Sequence, residues 1–428
     1  MVLRKRRGYT VATNVCRWVL ALVLIVSGFV KAVDPVGSMY KLQEYVEVFS
    51  LGAFSDEFLM LAAMLQAALE FLLGISLLMG IYRKFVTWFT PLVMLFFTVL
   101  TFVIYRGDMV ADCGCFGDAV TLSNGETFAK NVLLLLLSLV VFLGRRRLVY
   151  YISSKSRWMV TIFAIFYIAF AGIVSLSHLP VVDFSPYTVG GDLRALTEGV
   201  PGEYSVVEVY GRDSMQLEVA DGELPDSSWT YIESRPVLVK EPVLPVISDF
   251  AILDWEADLD VVPELLADSG YVCVVVIEDV GRASVSSVDK INELYDYCLD
   301  TDVPLIAATA SEDDAIELWR KRTGAEYPVL WTEEAVARKM IRANPGLVLI
   351  KDGVIAGKWN VADLPAVEVY SASATGMPDG VDTLLGYMQG WRFWILLLVL
   401  PLLFIVVVDA LACRNDGKEG DGKQQPGE

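Results

Sequence analysis

The chain has 428 residues, 55% of them hydrophobic, and its 53 acidic and 34 basic side chains give a formal net charge of −19. A hydrophobic content this high excludes an ordinary soluble protein. The acidity argues against a nucleic-acid partner, because phosphates attract basic surfaces. Apolar and charged residues must therefore be segregated, the former in membrane spans and the latter outside the lipid.

Six segments approach the roughly 20 apolar residues that a helix needs to cross a bilayer. The sequence predicts spans at 15–33, 58–80, 85–105, 128–143, 158–176 and 391–409. We therefore expect a multi-pass α-helical membrane protein in direct contact with membrane lipid.

The basic residues between the spans predict the orientation of the chain. Lys and Arg cluster at 4–7, 83–84 and 145–147, and such clusters are typical of cytoplasmic loops. If every span crosses once, all three clusters fall on one side. This predicts a protein of the bacterial inner membrane, with both termini cytoplasmic and residues 179–390 periplasmic. A signal peptide cleaved near Ala32 is the alternative for the N-terminus.

Cys113 and Cys115 stand one residue apart between the third and fourth predicted spans, on the side where thiols can pair. A disulfide between them would close a small strained ring and would be easily reduced. Gly114 supplies the backbone freedom that such a ring needs. The pair is the candidate catalytic site, and the alternatives are an inert structural disulfide or two free thiols. No metal site is expected, because zinc takes four Cys or His ligands and the one histidine, His178, lies beside another span.

Residues 1–150 contain four of the spans, joined by short loops. Three runs in this part, SGFVK at 27–31, EFLLG at 70–74 and DCGCFG at 112–117, resemble the DoxX and methylamine-utilisation MauE membrane families. The resemblance implies a four-helix bundle. In MauE-like proteins it implies maturation of exported disulfide-containing proteins, and in DoxX-like proteins quinone-linked or sulfur-linked redox chemistry. It makes a quinone the candidate cofactor and exported or periplasmic proteins the candidate clients.

Glu70 falls near the middle of the second span, where a carboxylate is costly unless it is paired or functional. One interpretation is a proton relay beside a quinone pocket. The other is a structural, neutral side chain hydrogen-bonded to a neighbouring helix. Lys31 falls near the outer end of its span, and we expect it to extend to the interface as an anchor.

The remaining chain divides by composition into six further segments. Residues 204–210 and 215–219 alternate as a β-hairpin does, and 225–245 is expected to be an irregular connection with short strands. The segments are a fifth transmembrane helix at 151–180, an external β-rich part at 181–242, an α/β domain at 243–370, a linker at 371–390, a sixth transmembrane helix at 391–410 and a disordered cytoplasmic tail at 411–428.

Strands and helices alternate in the external α/β domain. Strands are predicted at 271–277, 303–308 and 347–350, with helices at 288–299, 315–323 and 333–340. The runs 247–252 and 344–353 resemble thioredoxin-like proteins of the peroxiredoxin and TlpA-like branch. The resemblance implies an external α/β thioredoxin-like domain in which Pro345 is a cis-proline.

The thioredoxin-like alignment places Gly281 and Ser284 where the Cys-x-x-Cys pair belongs. Without a thiolate at a helix N-terminus, dithiol exchange in the usual way is not expected. Cys273 falls in a predicted buried strand and Cys298 late on the next helix. We expect two unpaired core thiols, with a disulfide between them as the alternative.

The leading hypothesis is a membrane protein whose bundle supports thiol–disulfide chemistry through Cys113 and Cys115, with a redox-silent thioredoxin-like domain as a docking platform. Electrons would pass between a client, the cysteine pair and a quinone. The alternatives are a non-catalytic membrane scaffold and a subunit of a quinol-linked oxidase complex.

Overall fold

The computed structural model describes residues 2–107, 110, 114, 117, 122–199, 202–212, 215–220, 228–240, 242, 244–371, 376–378 and 390–421. Cys113 and Cys115 lie outside the described residues. The chain forms two compact units, the first comprising Met1–Ser185 and Ser373–Glu428 and the second comprising Pro186–Ala372.

The first unit is helical. Its helices are α1 (Val2–Val33), α2 (Pro35–Val48), α3 (Asp56–Met79), α4 (Arg83–Gly107), α5 (Asn124–Leu143), α6 (Arg157–Ser177) and a C-terminal helix (Trp391–Asp421). In the described part of the chain, six helical segments are long and apolar enough to cross a membrane: Thr10–Val33, Asp56–Met79, Arg83–Gly107, Asn124–Leu143, Arg157–Ser177 and Trp391–Arg414. Each coincides with one predicted span, apart from a few residues at the ends. The prediction of a multi-pass helical protein is confirmed.

Polar residues fix where these helices begin. Ser55 accepts a hydrogen bond from the Phe58 amide at the start of α3, and Ser123 and Glu126 form a capping box at the start of α5. Asp34 caps α2 by accepting from the Gly37 amide at 2.8 Å. The sequence predicts only a loop between the first two spans, where α2 forms, because this helix lacks a long apolar run.

The helices α1 and α3 pack unusually closely. A Cβ added to Gly28 would lie 2.5 Å from the Phe71 backbone nitrogen, and one added to Gly74 would lie 2.7 Å from the Ile25 backbone nitrogen. Small residues let membrane helices approach to backbone contact. These two glycines belong to the runs at 27–31 and 70–74, so the packing brings the two runs face to face.

Aromatic residues attach α6 and the C-terminal helix to the bundle. The ring of Tyr167 stacks on Phe71 with centroids 5.4 Å apart, and its hydroxyl donates to the Trp394 carbonyl oxygen at 2.9 Å. The C-terminal helix continues to Asp421. The expected disordered tail at 411–428 therefore begins inside a helix, and 422–428 lie outside the described residues.

The second unit contains a three-stranded antiparallel sheet. Its strands are β1 (Glu203–Arg212), β2 (Met215–Ala220) and β3 (Thr230–Lys240), in the order β2-β1-β3. The predicted hairpin corresponds to β1 and β2. Where the sequence predicts an irregular connection with short strands, over 225–245, the structure has the single 11-residue strand β3. Pro236 weakened that strand pattern, but β3 is an edge strand, where a proline is tolerated.

A second sheet of the same unit has seven strands and mixed direction. They are β4 (Ile252–Asp254), β5 (Leu259–Asp260), β6 (Tyr271–Ile277), β7 (Leu305–Thr309), β8 (Val329–Thr332), β9 (Gly346–Lys351) and β10 (Val354–Asn360), in the order β10-β9-β6-β7-β8-β4-β5. Strands β6, β7 and β8 are parallel, and β9 is antiparallel to both β6 and β10. The predicted strand at 271–277 coincides with β6, whose last six residues are all buried.

Short and medium helices complete this unit. They are α7 (Leu193–Thr197), α8 (Val262–Ala267), α9 (Val288–Thr301), α10 (Asp313–Thr323), α11 (Glu334–Met340) and α12 (Val367–Ser371). The three predicted helices correspond to α9, α10 and α11. A hairpin joins β9 to β10, with Asp352 and Gly353 at positive φ in its turn.

Candidate functional site

A buried ion pair joins α1 and α3. Lys31 Nζ is 2.6 Å from Glu70 Oε1 and 2.8 Å from Oε2. The two side chains are 9% and 2% exposed. The expectation that Lys31 extends to the interface is wrong, because its ammonium group turns inward to the carboxylate.

Two further polar side chains form hydrogen bonds with the ion pair. Ser27 Oγ donates to Glu70 Oε2 at 2.6 Å and accepts from Lys31 Nζ at 3.2 Å. Gln66 Nε2 donates to Glu70 Oε1 at 3.3 Å. Both carboxylate oxygens therefore have donors, as a charge taken out of water requires. Glu70 is hydrogen-bonded to a neighbouring helix, and it also has a cation beside it.

This network forms part of the lining of a cavity of about 70 Å³. The polar residues that line the cavity include Ser27, Lys31, Lys41, Gln66, Glu70, Thr101, Lys130 and Asn131, and the apolar ones include Leu24, Met94, Phe97 and Leu134. A cavity of this size has room for ordered water. It combines hydrogen-bond donors, a carboxylate and an apolar wall, as small-molecule sites do.

The cavity reaches the segment that contains the predicted thiol pair. Gly114, the residue between the two cysteines, lines it and has a positive φ of 56°. A Cβ at Gly114 would lie 2.9 Å from Cγ of Lys41. The stem of a cavity lysine therefore packs against the backbone at the middle of the Cys-Gly-Cys motif.

Positive charge dominates the described lining, which contains three lysines and one carboxylate. Lys31 is paired with Glu70, and its ammonium group lies 5.7 Å from the centre of the Phe97 ring. Lys41 pairs with Glu44 at 3.1 Å near the surface. Such a lining can donate hydrogen bonds to an oxygen-rich or anionic group, while Glu70 offers a site for a proton.

In the second unit, the positions that replace the Cys-x-x-Cys pair lie in the connection between β6 and α9. The Ser284 amide donates to the Asn344 carbonyl oxygen at 3.0 Å, and Asn344 Nδ2 donates to the Asp279 carbonyl oxygen at 2.9 Å. The Asn344–Pro345 peptide bond is cis. Gly281 and Ser284 thus occupy a connection that is joined directly to the segment preceding Pro345.

Cys273 on β6 and Cys298 on α9 are buried free thiols, as the sequence analysis expects. Their sulfur atoms are 3.9 Å apart. The contact with Cys298 and burial raise the pKa of the Cys273 thiol. This disfavours a thiolate at Cys273, which is therefore poorly suited to nucleophilic attack.

Sequence reasoning missed most of the residues around Glu70. Ser27 and Lys31 are four residues apart on α1, and Gln66 and Glu70 are four apart on α3, so each pair lies on one helix face. This i, i+4 spacing of polar residues was the only indication in the sequence of two polar helix faces. It could not have revealed that the two faces meet, because Gly28 and Gly74 determine the contact through packing.

The six apolar helices and the polar cavity define a multi-pass helical membrane protein with a built intramembrane site. Residues 9–144 match the family model of the methylamine utilisation protein MauE. The membrane part is therefore similar to MauE, and the matched residues include every described residue that lines the cavity. The comparison with curated proteins gave no match.

Proposed function

We propose that this protein is a bacterial inner-membrane thiol–disulfide redox protein of DoxX/MauE type, which supports maturation of exported proteins through Cys113 and Cys115. The observation that carries the proposal is the position of Gly114 between those cysteines, at a cavity that also contains the Lys31–Glu70 pair. A redox-active cysteine pair needs an electron acceptor within reach. The cavity beside Gly114 could admit the oxygen atoms of such an acceptor.

The proposed chemistry has two steps. A client dithiol attacks the Cys113–Cys115 disulfide, so that the client gains a disulfide and the pair becomes a dithiol. The dithiol then transfers two electrons and two protons to a quinone, which becomes a quinol while the disulfide forms again. Lysines of the cavity would hold the quinone by donating hydrogen bonds to its oxygens, and Glu70 would accept or release the transferred protons.

The external α/β domain is proposed to be thioredoxin-like and to dock clients without exchanging electrons. The parallel strands β6, β7 and β8 with the antiparallel β9 and β10 support this fold. The Ser284–Asn344 hydrogen bond supports the alignment, because it joins the degenerate Cys-x-x-Cys segment to the residue before Pro345. Gly281 and Ser284 provide no thiol for exchange.

Trapping thiol states in growing cells tests the proposal. Cells are quenched in acid and alkylated, and the cysteines of the full chain are mapped by mass spectrometry before and after a mild reductant pulse and its removal. We expect Cys113 and Cys115 to become reduced and then oxidised again. Cys16→Ser, which removes another thiol of the bundle, is the control and should not alter this cycle. A pair that never changes state would favour the non-catalytic scaffold.

A further inference from the structure

A concavity rich in basic residues lies where α4 begins and α5 ends. Arg83 and Lys84 contribute from the first turn of α4, and Arg145 and Arg146 contribute from the single 3₁₀ turn that follows α5. Together with Trp88 and Phe142, they line about 530 Å³. No carboxylate is among these lining residues.

A second concavity adjoins the first and shares two of its cations. It measures about 430 Å³ and is lined by Arg83 and Lys84 together with Arg157, Tyr150 and the hydroxyl-bearing residues Ser153 and Ser154. The two concavities thus bring five cationic side chains together at one end of the bundle. The tendency of basic residues to lie at one membrane face explains the charge of this end, but it does not require two adjoining concavities.

Aromatic rings hold the guanidinium groups in place. Arg145 lies over the Phe142 ring, 4.6 Å from its centre, and donates to the Phe142 carbonyl oxygen at 3.2 Å. Arg83 lies 5.0 Å from the centre of the Tyr150 ring. None of the five cations forms an ion pair with a residue that the structure describes. A guanidinium stacked on a ring keeps in-plane N–H donors for an anion.

An exposed apolar wall follows the cations Arg83 and Lys84 on α4 and precedes Arg145 at the end of α5. Phe85 and Trp88 on α4 are 63% and 61% exposed, and Leu143 at the end of α5 is 71% exposed. All three lie in segments that are apolar enough to span a membrane. Cations beside such a wall suit a molecule with both a phosphate and acyl chains, whereas free phosphate would use only the cations.

We propose that the two concavities form a binding site for an anionic phospholipid. Its phosphodiester group lies among Arg83, Lys84, Arg145 and Arg146, and its acyl chains lie along the outward faces of α4 and α5. Basic pockets between membrane helices recognise lipid head groups in this way. This inference does not depend on the redox proposal, since no residue of the site lines the cavity near Gly114.

Native mass spectrometry of the full chain in a neutral detergent tests the site. The protein is titrated with phosphatidylglycerol, with phosphatidylcholine of the same acyl chains, and with inorganic phosphate as competitor. We expect phosphatidylglycerol to bind at least tenfold more tightly than phosphatidylcholine, and millimolar phosphate to leave its binding unchanged. Arg145→Gln/Arg146→Gln should reduce phosphatidylglycerol binding at least fivefold and leave phosphatidylcholine binding as it was.

The matched control is Arg320→Gln/Lys321→Gln, which removes two exposed charges from α10 in the other unit and should bind phosphatidylglycerol as the wild type does. If the bundle variant unfolds in detergent, Arg83→Gln/Lys84→Gln replaces it and should show the same loss. Equal binding of the two lipids, full competition by phosphate, or equal behaviour of the bundle and control variants would each overturn the proposal.

Discussion

Lys31 and Glu70 lie 39 residues apart in the sequence and meet inside the bundle, with Nζ 2.6 Å from one carboxylate oxygen and 2.8 Å from the other. Either residue alone would be costly at this depth. Together with Ser27 they form a neutral, hydrogen-bonded unit. The pairing therefore offsets the cost of burying each charge. It gives the fold little stability beyond what apolar residues in the same place would give.

Removing one member of this pair should be far more harmful than removing both. We expect Lys31→Met to lower the free energy of unfolding by about 3–5 kcal/mol, because it leaves the Glu70 carboxylate buried without a counterion. Lys31→Met/Glu70→Met should recover most of that loss. Chemical unfolding in detergent micelles measures both effects.

Lys41→Met is the control for that experiment. Lys41 also lines the cavity, but its partner Glu44 is partly exposed, and a pair near the surface contributes about 0–1 kcal/mol. A loss as large in Lys41→Met as in Lys31→Met, or no recovery in the double variant, would contradict the role assigned to the buried pair.

The spans could be predicted from sequence because apolar length alone reports them. The contacts among them could not, since sequence gives the depth of Lys31 but not the direction in which its side chain turns. The closeness of α1 and α3 depends on Gly28 and Gly74, and only packing shows that these two glycines belong to one interface. Pairing Lys31 with Glu70 required that contact.

The sheets show the same limit on a smaller scale. β6 was predicted correctly because its apolar run is continuous. β3 was missed because Pro236 interrupts its pattern, and only its pairing with β1 shows that it is an edge strand. Helix α2 was missed because its signals are local, an Asp34 cap followed by Pro35, without a long apolar stripe.

The predicted topology can be checked with single reporter cysteines in a chain otherwise lacking cysteine. Ser154 and Ser205 are both exposed, and the basic-loop rule puts the first inside the cell and the second outside. A membrane-impermeant maleimide should label Ser205→Cys in intact cells and Ser154→Cys only after lysis. Labelling of Ser154→Cys in intact cells would contradict the predicted topology, because it would place Ser154 outside the cell.

The α/β domain of the second unit should not reduce insulin. The connection that carries Gly281 and Ser284 has no thiol, and Cys273 and Cys298 are buried. The full chain with Cys113→Ser/Cys115→Ser should therefore show no insulin reduction above the dithiothreitol background. Turnover that disappears on adding Cys273→Ser would mean that the thioredoxin-like alignment misplaces the reactive position.

The second unit should lose stability at alkaline pH through Tyr187. Burial, reinforced by the charge of Asp249, raises the pKa of Tyr187 above its usual range. The native state then keeps a proton that the unfolded chain releases above about pH 10. The stability from this group is complete below that pH and falls as pH rises, by at most about 1.4 kcal/mol per unit.

Tyr187→Phe isolates this contribution. The Tyr187 hydroxyl has no hydrogen-bond partner among the described residues, so the variant should match the wild type at pH 7. Between pH 10 and 11 it should lose stability less steeply in thermal scans of the full chain. Tyr204→Phe, which changes a tyrosine that is 65% exposed, should follow the wild-type curve. If all three proteins lost stability equally steeply between pH 10 and 11, Tyr187 would not be the cause of the alkaline loss.

The cysteine pair gives the most direct test of function. Asp112 and Asp118 flank the Cys113–Cys115 segment, and their negative charges disfavour a thiolate. A pair that rests oxidised and accepts electrons fits this setting better than a thiolate that attacks first, because strain in the small ring makes the disulfide easy to reduce. We therefore expect Cys113 and Cys115 to be mostly oxidised in growing cells and to become reduced at lower reductant concentrations than ordinary structural disulfides.

Cys113→Ser and Cys115→Ser should each abolish maturation of exported disulfide proteins while membrane insertion stays normal. The control is Cys413→Ser, which removes an exposed thiol of the C-terminal helix and should leave maturation intact. Normal maturation in both pair variants would exclude the redox function and leave the scaffold.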